Sequence, residues 1–300
     1  MTEFFDTRLT ADVAGLPVPD VVDALDYEAI VAAIQADFEA RYPEFSAALE
    51  SEPVLKLIEA VAYREVLLRQ RVNDSAQALF ASTASGADLD NLAAGQGVVR
   101  AVVKEASGDD PAVYETDAQL LNRYLLSFSR HSAGSRGALA FYAYSAVPDL
   151  TDVAVLGPVV HGRAGDVDLV ILGPGYADAS DEDVAAIRGT AFSEGAYPDG
   201  LGGFVVRAVR AEYDAHLRVT PAASDGPSRE LARSAAEARV RAVCEARQRI
   251  GASVPAALIQ GAAFGDGVSI LSVEDVSPVT HTVDPYTAPI LRSLTVELAS

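Results

Sequence analysis

The sequence has very few of the residues that form disulfides and soft-metal sites. Among its 300 residues there is one cysteine, Cys244, and there are four histidines. A single cysteine cannot form an intrachain disulfide or a cluster of thiolate ligands. Because Cys244 lies in an apolar, periodic stretch, we expect it to be a small buried hydrophobic residue. His131, His161, His216 and His281 lack helical or hairpin ligand spacing, which favours surface or packing roles.

Basic residues are also scarce, with 23 Lys and Arg against 43 Asp and Glu and a formal net charge of −20. A surface this acidic repels phosphate backbones, so it disfavours a nucleic-acid-binding function. Lys56 and Lys104 are the only lysines in the sequence. The excess of arginine fits bidentate contacts at protein interfaces. The codon usage of a GC-rich genome explains it too and is the favoured interpretation, although both stay open.

Long hydrophobic runs are missing, although 50% of the residues are hydrophobic. No run approaches the roughly 20 apolar residues that are needed to span a bilayer. The opening MTEFFDTRL lacks the basic and apolar regions of a signal peptide. We therefore expect no membrane insertion and a protein that is made and kept in a cytoplasm. The apolar content is sufficient for buried cores, and the length corresponds to about two domains.

Motifs that mark catalytic sites are absent as well. The acidic segment 173–183 lacks the spacing of an EF-hand loop, and residues 200–203 lack the order of a phosphate-binding loop. There is neither an HExxH nor a GxSxG motif. Asp166 and Asp168 alternate on a predicted strand and could form a cation site, although an exposed polar strand face is favoured. We predict no enzymatic activity, no catalytic residue, no cofactor and no metal site.

Two other functions stay open at this point. One is a lytic or glycan-cleaving enzyme, since two of the 43 carboxylates could meet in a cleft. The other is a cellular α+β binding module.

The first hundred residues carry helical patterns. Residues 1–26 contain Pro17 and Pro19 and read either as an extended arm that lies on a neighbour or as an ordinary tail. Asp26 is a predicted N-cap for a helix over residues 27–41. A second helix is predicted from Pro53 at its first turn to about Phe80, a length of roughly 40 Å.

This second helix carries an apolar stripe that we predict to be a partner interface. Its members recur at three-, four- and seven-residue steps, and they are Val54, Ile58, Val61, Leu68, Val72 and Leu79. Glu65 and Ser75 interrupt the stripe. A long helix with a broad apolar face must bury it somewhere. Bundling between subunits and folding back on the first helix are both open.

After Ala146 the period changes from helical to alternating, and strands predicted at 152–156 and 166–172 are followed by further mixed segments. The fold class predicted is α+β: a helical N-terminal part followed by two mixed α/β portions. The expected domains are 1–107, an N-terminal arm with a bundle-forming helical part, then 108–209, a central domain, and 210–300, a C-terminal domain.

Several segments, in this order and spacing, resemble the baseplate assembly protein J family of contractile-tailed phages. They cover nearly the whole chain after the first two dozen residues. The segments are LDYEAIVAAIQADFEARYPEF at 25–45, ESEPVLKLIEAVAYREVLLRQRVNDSA at 50–76, GADLDNLAAGQGVVR at 86–100, ETDAQLLNRYLLSFS with GSRGALAFYAYSA within 115–146, and VEDVSPVTHTVDPYTAPILRSLTVEL at 273–298.

The resemblance implies a structural subunit of the baseplate wedge, located in the virion tail and assembled in the bacterial host cytoplasm. It implies paired copies in a ring, helix bundling with a second wedge protein, and ring contacts through the C-terminal part. It leaves phages, tail-like bacteriocins, secretion systems and gene transfer particles equally open.

Overall fold

The structure is a computed structural model that describes residues 16, 25–44, 53–198, 200, 202–223, 225–265, 269–277 and 284–299. Most of the predicted N-terminal arm therefore lies outside the described residues. The described part of the chain divides into two compact units, one within Ala11–Val99 and the other within Arg100–Ser300. They are called the helical unit and the α/β unit. The boundaries predicted near residues 107 and 209 stay predictions.

The helical unit consists of α1 (Tyr27–Arg41), α2 (Pro53–Gln77) and α3 (Gly86–Ala94). The predicted cap of α1 is present, because the backbone N–H of Ala29 donates to Asp26 Oδ1 at 3.0 Å. The helices α1 and α2 pack against each other. The buried apolar residues among those described in this unit are few: Ile30, Ile58, Ala62, Leu89, Ala93 and Val98.

The α/β unit alternates helices and strands, as the change in sequence period predicts. Its elements in chain order are β1 (Val102–Lys104), β2 (Val113–Tyr114), α4 (Asp117–Ser127), α5 (Arg136–Ala146), β3 (Asp152–Leu156), α6 (Pro158–His161), β4 (Asp166–Leu172), α7 (Asp181–Ala191), β5 (Gly202–Arg207), β6 (Val209–Pro221), α8 (Gly226–Ala246), α9 (Ala256–Phe264), β7 (Ile270–Ser277) and β8 (Thr287–Leu298). The α+β class is confirmed.

The first sheet of the α/β unit has the order β3-β4-β5, with β3 antiparallel and β5 parallel to β4. Strand β4 reads DVDLVIL and is buried over its last five residues. A continuous apolar run is typical of a strand that is covered on both faces. Helices α5 and α7 pack against this sheet and against each other. The sheet therefore lies inside the unit.

The second sheet has the order β7-β6-β8, and helices α8 and α9 cover one of its faces. Alternate residues of β6 are buried against α8 and α9, in a core that includes Cys244. The expectation that Cys244 is a small buried hydrophobic residue is confirmed. On the other face charged pairs follow the strands, such as Arg292 with Asp214 and Arg218 with Asp275.

The sequence pattern predicts a proline-containing loop over residues 284–289, and this prediction is wrong from Thr287 onward. Strand β8 begins there, and Pro289 pairs with Ala211 in a parallel ladder. Proline is compatible with a strand at the edge of a sheet, and β8 is such a strand. The sequence pattern also predicts a loop over residues 105–111, and this prediction is confirmed. The short antiparallel strands β1 and β2 that this loop joins were not predicted.

The two three-stranded sheets of the α/β unit share a core. Val170 and Leu172 of the first sheet pack in one cluster with Ile250, Ala288 and Ile290 of the second half. A polar contact crosses the same interface, because the backbone N–H of Ile250 donates to Asp152 Oδ2 at 2.7 Å. The central and C-terminal portions are thus packed on each other.

Candidate partner-binding surface

Helix α2 leaves a row of large apolar side chains exposed on one side. The exposed fractions are 64% for Leu57, 48% for Val61, 65% for Leu68, 60% for Val72 and 71% for Leu79. These five residues are called the α2 stripe. At 3.6 residues per turn the first four fall on one side of the helix. Leu79 lies beyond the end of α2, which is at Gln77 and not near Phe80 as predicted. Exposed apolar residues that lie contiguously mark interaction sites more often than scattered ones do.

The structure separates the six residues predicted for the interface into two groups. Val61, Leu68, Val72 and Leu79 lie in the exposed stripe. Ile58 is only 5% exposed and Val54 is partly buried. Helix α1 packs on the side of α2 that carries Ile58. One side of α2 therefore packs against α1, as the fold-back hypothesis expects. The neighbouring side stays exposed, as the hypothesis of bundling between subunits requires.

Leu57 was missed by the sequence reading. The signal that could have found it is an 11-residue spacing, which places Leu57, Leu68 and Leu79 in register and does the same for Val61 and Val72. An 11-residue repeat corresponds to about 3.67 residues per turn, which keeps an apolar stripe nearly straight along a helix. Such a stripe can pack along its whole length against another straight helix.

A groove runs beside the stripe, between α1 and α2. It has a volume of about 440 Å³ and is lined by Asp26, Ala29, Ile30, Ala33, Ile34, Asp37, Glu65 and Arg69. Within it Arg69 donates to Glu65 at 2.6 Å, one helical turn away. The floor is apolar and the rim is charged, which is the arrangement that accepts an amphipathic helix.

The carboxylates that were considered for a cation site are engaged in the fold. Asp168 is buried and accepts hydrogen bonds from the Arg163 guanidinium and the Tyr286 hydroxyl. Burial opposes its ionisation, but these two donors outweigh burial and hold the pKa of Asp168 below its ordinary value. Asp166 pairs with Arg163 at 3.0 Å. The expected exposed polar strand face is therefore wrong for Asp168.

The other perturbed carboxylate of the first sheet is Asp152, whose pKa is raised mainly by burial. Asp152 lies opposite Leu172 in the ladder, and Asp168 lies opposite Leu156. The two carboxylates are thus four residues apart along the sheet, about 13 Å at the rise of a strand. Paired glycosidase carboxylates lie about 5–9.5 Å apart. This pair does not support the glycan-cleaving alternative.

The histidines are dispersed. The Nδ1 atom of His161 accepts from the backbone N–H of Arg163 at 3.1 Å, and Nε2 of His216 lies 3.6 Å from Glu297. His131 is exposed, and His281 lies outside the described residues. Among the side chains that the structure describes, no three from His, Cys, Asp and Glu are grouped to hold a metal ion. None of the described helices combines the length and apolar composition needed to cross a bilayer.

Comparison with known sequences gives a match across the α2 region. Residues 50–107 match the family model of the Baseplate J-like N-terminal domain. Over 285 residues the chain is 32% identical to baseplate protein J of Escherichia phage P2, in an alignment that covers 91% of this chain and 92% of that protein. The chain belongs to the baseplate J family.

In this baseplate J family member the matched segment 50–107 includes α2, α3 and β1, so the α2 stripe lies within it. Among solved structures, the chain is similar to a chain in the cryo-EM structure of the anti-feeding prophage baseplate, 6-fold symmetrised. The identity is 15% and the TM-score is 0.40, with 62% of this chain and 47% of that chain covered. This member therefore spans about half the length of that chain.

Proposed function

We propose that this protein is a non-enzymatic structural subunit of the baseplate wedge of a contractile phage tail or a tail-like particle. Membership of the baseplate J family supports a structural role in a phage tail baseplate. In the proposal it forms paired copies within a ring and bundles its helices with a second wedge protein. It is assembled in the cytoplasm of the bacterial host and resides in the virion baseplate.

The observation that carries the proposal is the exposure of the α2 stripe. A soluble helix normally turns its apolar side toward a core, yet Leu68 and Val72 remain exposed. Burying each of them against a partner stabilises the complex by about 1.5–3 kcal/mol. The proposed function of α2 is therefore to hold the wedge together, with the rest of the chain as a folded body.

The first prediction tests this role with Leu68→Asp, which places a carboxylate on the stripe. In a closed interface an unpaired carboxylate costs more than the apolar contact that it replaces. We expect loss of co-purification with the wedge protein encoded by a neighbouring gene when both are co-expressed. The far-UV circular dichroism and the thermal unfolding of the variant alone should match those of the unmodified chain.

Tyr63→Asp is the matched control, because Tyr63 is also exposed on α2 but lies on the side away from the stripe. It should leave co-purification intact. Glu65→Ala and Ser75→Ala should have much smaller effects than Leu68→Asp. If Leu68→Asp unfolds the isolated chain, the stripe is an ordinary core and the proposal is wrong.

A further inference from the structure

Three of the four edges of the two three-stranded sheets are protected against pairing with another strand. Strand β3 has its last four residues buried, and β7 is interrupted by a bulge in its ladder with β6. On β8 the carbonyl of Thr287 accepts from the backbone N–H of Gly251 at 2.9 Å. The carbonyl of Val296 accepts from Arg233 at 3.1 Å, and Pro289 has no N–H to offer. Burial, bulges and proline are devices that keep sheet edges from pairing with other chains.

The fourth edge, on β5, lacks these protections. The backbone N–H groups of Gly202 and Ala208 donate at 3.0 and 2.9 Å to carbonyl groups just before and within β4. The alternate residues Gly203, Val205 and Arg207 therefore point their backbone groups away from β4. Among the residues that the structure describes, these outward N–H and carbonyl groups have no hydrogen-bond partner. No residue of β5 is buried, so the edge is open to a further strand.

One face of β5 also offers apolar surface at this edge. The side chain of Phe204 is 42% exposed, and the Arg163 guanidinium lies 5.5 Å from its ring centroid. Val206 lies on the same face and packs against the core that the two three-stranded sheets share. A strand added beside β5 with apolar side chains on this face covers Phe204 and extends that core.

The sequence contains a segment with the pattern of such a strand. Residues 5–13 read FDTRLTADV, in which mainly apolar and polar residues alternate over nine positions. This period of two is typical of a strand with one apolar side. The segment is called the docking segment, and it lies outside the described residues. The 13 residues between it and α1 include Pro17 and Pro19 and can span up to about 45 Å, enough to reach another molecule.

We propose that the open edge of β5 accepts the docking segment of a second copy of this chain as an added strand. The inference rests on the proposed function, in which copies are paired, and it names a surface through which they pair. Reciprocal exchange supplies one docking segment for each open edge in the pair. The added strand satisfies the outward backbone groups of β5, and its apolar side lies beside Phe204.

Disulfide trapping between full-length chains tests the inference, because the one native cysteine, Cys244, is buried. One chain carries Phe204→Cys, and the other carries a single cysteine in the docking segment. Thr7→Cys, Leu9→Cys and Ala11→Cys lie on the apolar side and sample the register. After mixing and oxidation, mass spectrometry of the linked peptides should find at least one of them joined to position 204 of the other chain.

Two sets of controls make the trapping specific. Arg8→Cys and Thr10→Cys lie on the other side of the strand and should give about tenfold less product, since their side chains point away. Val159→Cys replaces Phe204→Cys in the second control, because Val159 is 96% exposed but lies in α6, which packs beside β3. It should not link to any position of the docking segment.

Three outcomes of the trapping would overturn the inference. The first is no link to position 204 from the docking segment, and the second is an equal yield from both sides of the strand. The third is a chain with both Phe204→Cys and Leu9→Cys that closes only on itself, which would place the segment on its own chain.

Proline substitutions test the backbone pairing. Val205→Pro removes an outward N–H of β5 but no bond to β4, a change that edge strands tolerate, so circular dichroism should be unchanged. Trapping should fall about tenfold, the effect of one lost hydrogen bond. Arg8→Pro makes the same change within the docking segment and should lower trapping equally, whether or not Val205→Pro folds. Leu16→Pro, outside the segment, is the matched control. Undiminished trapping with Arg8→Pro would contradict strand pairing.

The inference and the proposed function can fail separately. If trapping fails while Leu68→Asp abolishes co-purification with the neighbouring wedge protein, the wedge role stands and the docking of the segment on β5 is wrong. If trapping succeeds while Leu68→Asp has no effect on co-purification, the strand exchange stands and the wedge role of the α2 stripe is wrong.

Discussion

The two units of this protein bury their apolar residues to very different degrees. Helix α2 has 25 residues, of which Ile58, Ala62 and Asn73 are buried. Strand β6 has 13 residues, and every second one from Tyr213 to Pro221 is buried. The α/β unit therefore completes its own core, whereas the helical unit leaves apolar surface open. We therefore expect the α/β unit to be the more stable of the two, and in the proposed wedge role the helical unit is completed by assembly.

The largest expected effect comes from comparing the same side-chain truncation, Leu to Ala, in each of the two units. Leu217→Ala removes a fully buried side chain from the core between β6 and α8 and should lower the free energy of unfolding by about 2–5 kcal/mol. Leu68→Ala should change it by no more than about 0.5 kcal/mol, because Leu68 is exposed in the isolated chain. Urea denaturation of each variant measures both quantities. Similar losses would contradict the comparison.

An intermediate effect is expected at the polar contact that joins the two halves of the α/β unit. Tyr286→Phe removes a hydrogen bond to the buried Asp168 carboxylate and should cost about 1–3 kcal/mol at pH 7. The pKa of Asp168 is lowered in the folded state. The ionised Asp168 therefore stabilises the folded state fully above the ordinary carboxyl pKa of about 4. This stabilisation is lost as the pH falls through the lowered pKa that Asp168 has in the folded state.

Urea titrations at pH 7 and at pH 3 test this sign, since the difference between Tyr286→Phe and the unmodified chain should shrink at the lower pH. Tyr114→Phe is the control, because Tyr114 is exposed on β2 and the substitution should be neutral at both values. A difference that grows on acidification would mean that the Asp168 contact is not what Tyr286 contributes.

The smallest expected effect compares one helix cap from each unit. The hydroxyl of Ser180 accepts from the backbone N–H of Asp183 at 3.1 Å, so Ser180→Ala should destabilise α7 by about 1 kcal/mol. Ser85 occupies the same position before α3 but makes no side-chain hydrogen bond to that helix. Ser85→Ala should therefore have a smaller effect. Thermal unfolding of both variants measures which substitution destabilises more. Equal losses of stability would contradict this prediction.

Local sequence signals were sufficient to predict where many of the helices and strands begin and end. The helix over 27–41 and the strands over 152–156 and 166–172 have the predicted limits. Asp26 supplies a cap for the helix, and turn residues bound the two apolar runs. The missed hairpin of β1 and β2 and the misassigned start of β8 have other causes. Strand β8 pairs with β6, which is distant in sequence. Strands β1 and β2 are too short to show an alternating pattern.

The sequence by itself determined the α+β class, the caps and the apolar periodicity of α2, because these depend on neighbours within a few residues along the chain. It left open which part of α2 would be covered, since Ile58 and Leu68 belong to the same predicted stripe. Only the tertiary structure decided that, by packing α1 against the side of Ile58 and leaving Leu68 exposed. It also buried Asp168, because Tyr286, which lies 118 residues away in sequence, reaches it only in the folded chain.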